Sequence, residues 1–341
     1  MTRTHGDPSA PSISIVIPAF KPQFLAAALA SLAAQTDPAF EVVVADDASP
    51  SDLGAICRPF AQRLQLRYIR FDNNLGGHDL VAHWTRALQA ATHDRVWLMG
   101  DDDELEPRCV EHVRKALAAE PDWPGLWHLD VKQIDASGQV TKQMAPYPLH
   151  LSAAAYIRQR CENRLSSFAC EYIFSRATLA QRGGFVGFPL AWCSDNATWV
   201  RLAGAAGFRT IKGDDAHARW RLSDSNISGG GGRHLGAAKM QALLQYVEWL
   251  HSAENRALLQ SANGVSEGIG ALCVAWFIGS LHSTRTLVAW AQMPGIARRL
   301  ARATGRPWLP TLLALARRRR WTQAALRSAQ HDKQHDRRRL P

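Results

Sequence analysis

Arg95-Val96-Trp97-Leu98-Met99-Gly100-Asp101-Asp102-Asp103-Glu104 joins a short apolar run to four consecutive acids. Apolar side chains without polar alternation suit a strand covered on both faces, the pattern of a parallel sheet flanked by helices. Acids crowded at its end repel one another unless a positive charge compensates. A divalent cation does so, and hard oxygen ligands favour Mg2+ or Mn2+. The same acids would also suit the start of a following helix. Upstream the pattern recurs. Glu41-Val42-Val43-Val44-Ala45 ends in Asp46-Asp47, Ile13-Ser14-Ile15-Val16-Ile17 ends at Pro18, and Leu66-Arg67-Tyr68-Ile69-Arg70 is a further strand. Helical spacing lies between them: Gln23 to Gln35, opened by Pro22, then Asp52 to Leu64 and Leu80 to Ala91. A repeat of roughly 25–30 residues predicts βαβ units and an α/β fold with a mainly parallel sheet, whose ligands lie beyond the carboxyl ends of the strands.

The bulk properties agree with a packed enzyme-sized chain. At 341 residues, with 46% hydrophobic and 21% charged residues, it affords one large or two modest domains and excludes global disorder. The net charge of +10 is local. Residues 296–341 hold 13 basic and 2 acidic residues, so residues 1–295 carry a net of −1. A nucleic-acid protein with a basic body is thereby disfavoured. Cys57, Cys109, Cys161, Cys170, Cys193 and Cys273 contain no C-x-x-C pair, which fits a reducing, cytoplasmic setting better than a zinc knuckle or a disulfide scaffold. Met1 to Ser12 is polar, which predicts no signal peptide. Ala271 to Met293, the best candidate for a spanning helix, is interrupted by His282 and Arg285.

Beyond residue 120, Gly125 to Ile134 predicts a strand and Ala136-Ser137-Gly138-Gln139 a turn into another. Ser228-Gly229-Gly230-Gly231-Gly232-Arg233 predicts a hinge or loop, and the chain then turns helical over Leu235–Leu250, Ala253–Leu259 and Val265–Met293. The boundary is set near residue 228, with domains 1–227 and 228–341.

The order and spacing of Ile13 to Phe20, Asp46-Asp47-Ala48-Ser49, Asn74-Leu75-Gly76 and Val96 to Pro107 resemble the family 2 glycosyltransferases, over about residues 12–225. The resemblance implies a GT-A, Rossmann-like nucleotide-sugar-binding domain. Pro18 and Phe20 then look like the start of the nucleotide pocket, and Asp46 or Asp47 like the acid on the base, often uracil. Asn74, Gly76 and Asp101 join that nucleotide-binding set. Asp101-Asp102-Asp103 looks like the metal-binding D-x-D region. With Pro107 aligned to the family's usual proline, Gly100 replaces the common first Asp and Asp102 takes the metal-ligand position. That form resembles a subgroup of bacterial surface-polysaccharide synthesis.

Gly183-Gly184-Phe185, then Cys193-Ser194-Asp195, resembles the stretch that carries the family's catalytic base. A hydroxyl is a poor nucleophile until a placed carboxylate takes its proton. Asp195 also precedes a helical run, Asn196 to Ala206, where an acid can serve as a cap. In His217-Ala218-Arg219-Trp220-Arg221, His217 is a candidate third metal ligand. The arginines are candidates for a diphosphate, although a polar loop beside the core accounts for them equally. The Q-x-x-R-W of processive synthases is absent, since Ala216 stands where Gln would, which favours transfer of a single sugar.

The implied reaction is an inverting, metal-dependent transfer from a nucleotide-sugar, with UDP favoured, to a saccharide or lipid-linked acceptor. The basic tail, with Arg298-Arg299, Arg302, Arg306, Arg317 to Arg320 and Arg337 to Arg339 around Trp308 to Ala316, suits an anionic membrane surface or a solvated helix, and not nucleic acid. Two alternatives stand beside this reading. A sugar nucleotidyltransferase would need a glycine-rich basic loop where Pro18-Ala19-Phe20-Lys21-Pro22 stands. A noncatalytic membrane-recruited binding protein would need no sugar chemistry at all.

Overall fold

The computed structural model describes residues 12–223, 233–261, 268–281 and 290–318. The chain divides into two compact units between Gly230 and Gly231. The first begins with β1 (Ile13–Ala19), α1 (Leu25–Ala33), β2 (Phe40–Asp46), α2 (Leu53–Cys57), β3 (Gln65–Arg70), α3 (Leu80–Gln89) and β4 (Arg95–Leu98). These are the expected βαβ repeats. β1 lies between β2 and β4, and β3 flanks β2, all parallel. Every residue of β2 is buried, as its unbroken apolar run requires. α2 is shorter than predicted. Pro59 has no amide proton to continue an α-helical ladder, and a single 3-10 turn at Arg58–Phe60 takes over.

The remaining elements are β5 (Glu104–Leu105), α4 (Cys109–Ala119), β6 (Leu126–Leu129), β7 (Val131–Ile134), β8 (Val140–Gln143), β9 (His150–Leu151), α5 (Ala153–Cys161), β10 (Tyr172–Ser175), α6 (Arg176–Gln181), α7 (Ser194–Ala203), β11 (Phe208–Ile211) and β12 (Ala218–Arg221). The large sheet runs β3-β2-β1-β4-β10-β6-β11-β9, and a small one runs β5-β12-β7-β8. β10 is antiparallel to both neighbours. The result is a mainly parallel, GT-A-like sheet with helices around it.

The strand predicted from Gly125 to Ile134 is two strands in two sheets. Asp130 divides them. Its carboxylate accepts from Tyr147 N at 3.0 Å and pairs with Lys212, while its carbonyl accepts from Ala218 N. The chain thus leaves the large sheet at Leu129 and enters the small one at Val131. That crossing places β12 beside the acids that follow β4.

The second unit holds α8 (Arg233–Leu250), α9 (Ala253–Ser261), α10 (Ile269–Ser280) and α11 (Met293–Thr304), and residues 308–318 are helical. Leu243, Val247, Leu250, Phe277, Ala297 and Leu300 are buried. Glu248 accepts from Arg299 Nε and Nη2, both at 2.7 Å. The helix predicted over Val265–Met293 is described as α10 and the start of α11; residues 265–267 and 282–289 of it lie outside the described residues. So do residues 228–232 of the predicted hinge or loop, Asn226, and the tail from Arg319 onward. Among the described residues, no helix is long and apolar enough to cross a membrane.

Candidate active site

Parallel pairing brings the carboxyl ends of β1, β2 and β4 to one edge. Ala19 lies opposite Asp46, and Met99 N donates to Val16 O at 3.0 Å. Pro18, Phe20, Asp46, Asp47 and Asp101 therefore gather there, as parallel α/β topology dictates. Ser49 Oγ closes the edge by donating to Phe20 O at 2.7 Å.

The two acids after β2 do different work. Asp46 is fully buried and accepts Ser49 N at 2.7 Å, Tyr68 Oη at 2.5 Å and Arg70 Nη1 at 2.7 Å. Burial first, and then the bond to Asp46, push the Tyr68 phenol up to about 12, so it stays a neutral donor. Tyr68, Arg70 and Ser49, with Asp52, Gly54 and Leu66, line a cleft of about 630 Å3 beside Asp46. Asp47 turns the other way. It accepts Leu75 N at 3.0 Å and Gly76 N at 2.7 Å, and pairs with Arg86. A Cβ on Gly76 would lie 2.7 Å from Asp47 Oδ2, which explains glycine there. Asn74 Oδ1 accepts Gly77 N at 2.7 Å and finishes the turn. Asp47, Asn74 and Gly76 thus build one loop against β2, while Asp46 faces the cleft lining.

The run after β4 is divided just as sharply. Asp101 Oδ2 accepts Phe20 N and Lys21 N, both at 2.8 Å. Burial raises its pKa against the opposing charge of Lys21. Asp102 Oδ2 meets Lys21 Nζ at 2.7 Å, and its Oδ1 accepts no hydrogen bond among the described residues. Asp103 accepts Arg221 N at 3.0 Å. Burial, then the neighbouring charge of Asp102, push its carboxyl up to about 7. Glu104 is held by Arg219 Nη1 at 2.7 Å and by Arg221. A Cβ on Gly100 would come within 2.7 Å of Asp103 Oδ2 and 2.9 Å of Asp102 Oδ1. The packing of the following acids accounts for the glycine in place of the family's usual Asp.

Two expectations change here. His217 is not brought to Asp102. Its Nδ1 and backbone N both meet Glu106 Oε2, at 2.8 and 2.9 Å, and Lys132 pairs with the same carboxylate. β12 runs antiparallel to β5, with Arg219 opposite Glu104. This register sets His217 beside Glu106 and Arg221 beside Asp102, roughly 13 Å apart along an extended strand. The arginines are also spent. Arg221 is 1% exposed and donates to Asp102 O at 2.8 Å and Asp135 O at 2.6 Å besides Glu104, and Arg219 also binds Gly138 O. Both hold the acid run in place and do not present a phosphate site.

Asp195 lies in the first turn of α7, not at its cap; the cap position is Cys193 in left-handed backbone, with no side-chain bond. Leu190 and Ala191 are also left-handed. Three such residues in four positions mark a strained approach to the helix. Asp195 Oδ1 accepts Asn196 N at 2.8 Å and Asn196 Nδ2 at 2.9 Å. Its Oδ2 accepts nothing among the described residues. Burial raises its pKa above the usual carboxylate range against those two bonds and Arg160. Tyr156 Oη and Arg160 Nε both donate to Asn196 Oδ1, at 3.0 and 3.2 Å, which fixes which end of the amide faces Asp195. Cys170 O accepts Trp97 Nε1 at 2.7 Å, which ties the residue before Glu171 to β4.

For a divalent cation the donor set is sparse: no cluster of three or more His, Cys, Asp or Glu suits a metal among the described residues. Asp102 Oδ1 accepts no hydrogen bond among the described residues. That fits a cation held by one or two carboxylates plus substrate phosphates and water, the usual mode for Mg2+.

Residues 14–163 match the profile of the family described as Glycosyl transferase family 2. That stretch, 150 of the 341 residues, is what the chain shares with glycosyl transferase family 2. A hyaluronan synthase of Pasteurella multocida is 33% identical over 128 residues, covering 36% of this chain and 13% of that protein. A chondroitin synthase of Escherichia coli is 34% identical over 110 residues, covering 32% of this chain and 16% of that protein. The chain thus matches only a small part of either synthase. Among solved structures, residues 1–349 of S. aureus TarS in complex with UDP-GlcNAc match with a TM-score of 0.60 at 14% identity, covering 92% of each chain. The mannosyltransferase PcManGT of Pyrobaculum calidifontis, in complex with GDP-Man and Mn2+, matches at 0.52 and 16% identity, covering 94% of this chain and 90% of that one. At such identities the likeness establishes the fold. Lys21, Tyr68, Arg70, Cys170 and Asn196 are site residues that the motifs do not mark. Tyr68 and Arg70 act on Asp46 and Cys170 on Trp97 from elsewhere in the fold, while Lys21 and Asn196 stand beside motif positions.

Proposed function

We propose that this family 2 transferase moves a single sugar from a nucleotide-sugar, preferably a UDP-sugar, to a hydroxyl of a saccharide or lipid-linked acceptor in surface-polysaccharide synthesis. The observation that supports the proposal is the family 2 match over residues 14–163 together with two carboxylates, Asp102 and Asp195, each with an oxygen that accepts no hydrogen bond among the described residues. Phe20, Asp46, Tyr68 and Arg70 would receive the nucleoside. Asp102, with Asp101 beside it, would hold Mg2+ or Mn2+, which when bound offsets the charge on the departing diphosphate. Asp195 Oδ2 would take the proton of the acceptor hydroxyl as its oxygen bonds to the anomeric carbon and the bond to the diphosphate breaks. Attack from the face opposite the leaving group inverts that carbon. The raised pKa of Asp195 makes it a stronger base than an exposed carboxylate.

The second unit supports placement at the cytoplasmic membrane surface. Trp308, Leu309 and Leu313 are exposed, and the guanidinium of Arg298 lies 5.6 Å from the Trp308 ring centroid. Arginines beside exposed apolar residues match an anionic bilayer.

Thermal unfolding with UDP, GDP and dTDP, each with and without Mn2+, tests the site. Saturation at about 100 times the dissociation constant stabilises the protein by roughly 2.7 kcal/mol. A metal-dependent shift with one nucleotide, lost in Asp102→Ala, is expected. No shift with any nucleotide would overturn the transferase reading in favour of a noncatalytic membrane-bound protein.

A further inference from the structure

The acid run after β4 meets two kinds of cation. Arg219 and Arg221 are built in: Arg221 is 1% exposed and donates to two backbone carbonyls as well as to Glu104. Lys21 is different. Its Nζ stands 2.7 Å from Asp102 Oδ2 and 3.5 Å from Asp101 Oδ1, and touches no other group among the described residues. Its side chain keeps 29% of its surface in solvent. Its backbone is anchored independently, since Phe20 N and Lys21 N both donate to Asp101 Oδ2 at 2.8 Å. A four-carbon stem on a fixed backbone lets an ammonium move between partners without moving the loop. The oxygen it occupies belongs to Asp102, whose other oxygen accepts no hydrogen bond among the described residues.

We infer that Lys21 is the exchangeable counter-ion of this site. It neutralises Asp102 when the site is empty, gives up Asp102 to a divalent cation, and then carries its charge to the donor diphosphate. The inference rests on the reading of Asp102 as a metal ligand. A divalent cation on Asp102 and an ammonium 2.7 Å from its Oδ2 would share one carboxylate and repel. The displaced ammonium stays tethered next to the place where diphosphate charge arrives, where a Lys acts as a mobile point charge. Lys21 therefore opposes the metal alone and favours the metal together with a diphosphate.

Opposite signs on two binding constants test this. Mn2+ binding is followed by the loss of free Mn2+ signal in electron paramagnetic resonance. UDP and inorganic pyrophosphate binding is followed by calorimetry at saturating Mn2+. In Lys21→Met, the affinity for Mn2+ alone should rise about tenfold and that for UDP and pyrophosphate should fall about tenfold, each step of ten being the size of one modest charge contact. Lys21→Arg, which keeps the charge, should bind Mn2+ as the wild type does. Lys21→Gln replaces Lys21→Met if the latter unfolds. If wild type binds UDP with Mn2+ but the variants shift neither constant, or shift both the same way, the role of Lys21 is refuted and the transferase reading stands. If wild type binds neither Mn2+ nor UDP, the reading of the site fails, and this role with it.

Discussion

Replacing Arg221 with methionine should cost the first unit about 4 kcal/mol. The guanidinium is 1% exposed and holds Glu104, the carbonyls of Asp102 and Asp135, and the face of Phe24, whose ring centroid lies 4.6 Å from it. Methionine matches the stem but donates nothing. Breaking a buried pair from one side costs about 3–5 kcal/mol, because the remaining charge stays buried and uncompensated. Glu104 keeps Arg219, which lowers that part. The buried carbonyl of Asp102 and the half-buried one of Asp135 each lose a donor, at about 1 kcal/mol for the first and less for the second, which raises it again. For a unit of this size each kcal/mol moves the melting point by roughly 2–4 °C, so a fall of about 8–16 °C is expected. Urea unfolding followed by tryptophan fluorescence reads the free energy directly. Adding Glu104→Gln should recover part of the loss, since the unpaired charge goes with it. A loss under about 1 kcal/mol, or no recovery in the double variant, would refute the reasoning that Arg221 pins the acid run. Asp102 loses the donor to its carbonyl in the same variant, so metal-dependent nucleotide binding should weaken alongside stability.

Glu106 supplies a pH test. Burial alone would raise its pKa, but hydrogen bonds and charge from His217 and Lys132 pull it down to about 2 from 4.5. A depressed acid stabilises the fold above pH 4.5 and loses that contribution as pH falls toward 2. Glu106→Gln should therefore be less stable than wild type at pH 7, with the difference closing on acidification; a gap that stays constant to pH 2 would count against the pairing. Asp195→Asn should bind nucleotide with normal affinity and lose transfer, and unchanged turnover would remove Asp195 from the reaction. Because Asn196 bonds hold the Asp195 pKa down against burial, Asn196→Ala should move the acidic limb of the rate profile to higher pH. Gly76→Ala places a Cβ 2.7 Å from a carboxylate oxygen that Gly76 N itself holds, so urea unfolding should register a loss of about 1–3 kcal/mol.

The sequence by itself determined the parallel sheet and the edge where chemistry gathers. Ile13–Ile17, Glu41–Ala45 and Arg95–Met99 are apolar runs too short and too continuous for amphipathic helices, and acids end two of them. Once such strands lie parallel, Pro18, Asp46 and Asp101 must meet, so the motif order carried the family as well. Adjacent acids were beyond it. Asp101, Asp102, Asp103 and Glu104 are alike in sequence and separate only through partners brought from afar: Phe20 and Lys21 from 80 residues before, Arg219 and Arg221 from well over 100 residues after. The same cause misplaced His217. A histidine near the end of the domain is a reasonable metal ligand by chemistry, but the register of β12 against β5 seats it on Glu106. Gly125–Ile134 was legible as extended chain, and the switch of sheets at Asp130 was not, because Tyr147 and Lys212 supply it. Local pattern decides which backbone forms; which carboxylate keeps a free oxygen depends on hydrogen bonds made across the whole sheet, and only the tertiary structure decides those.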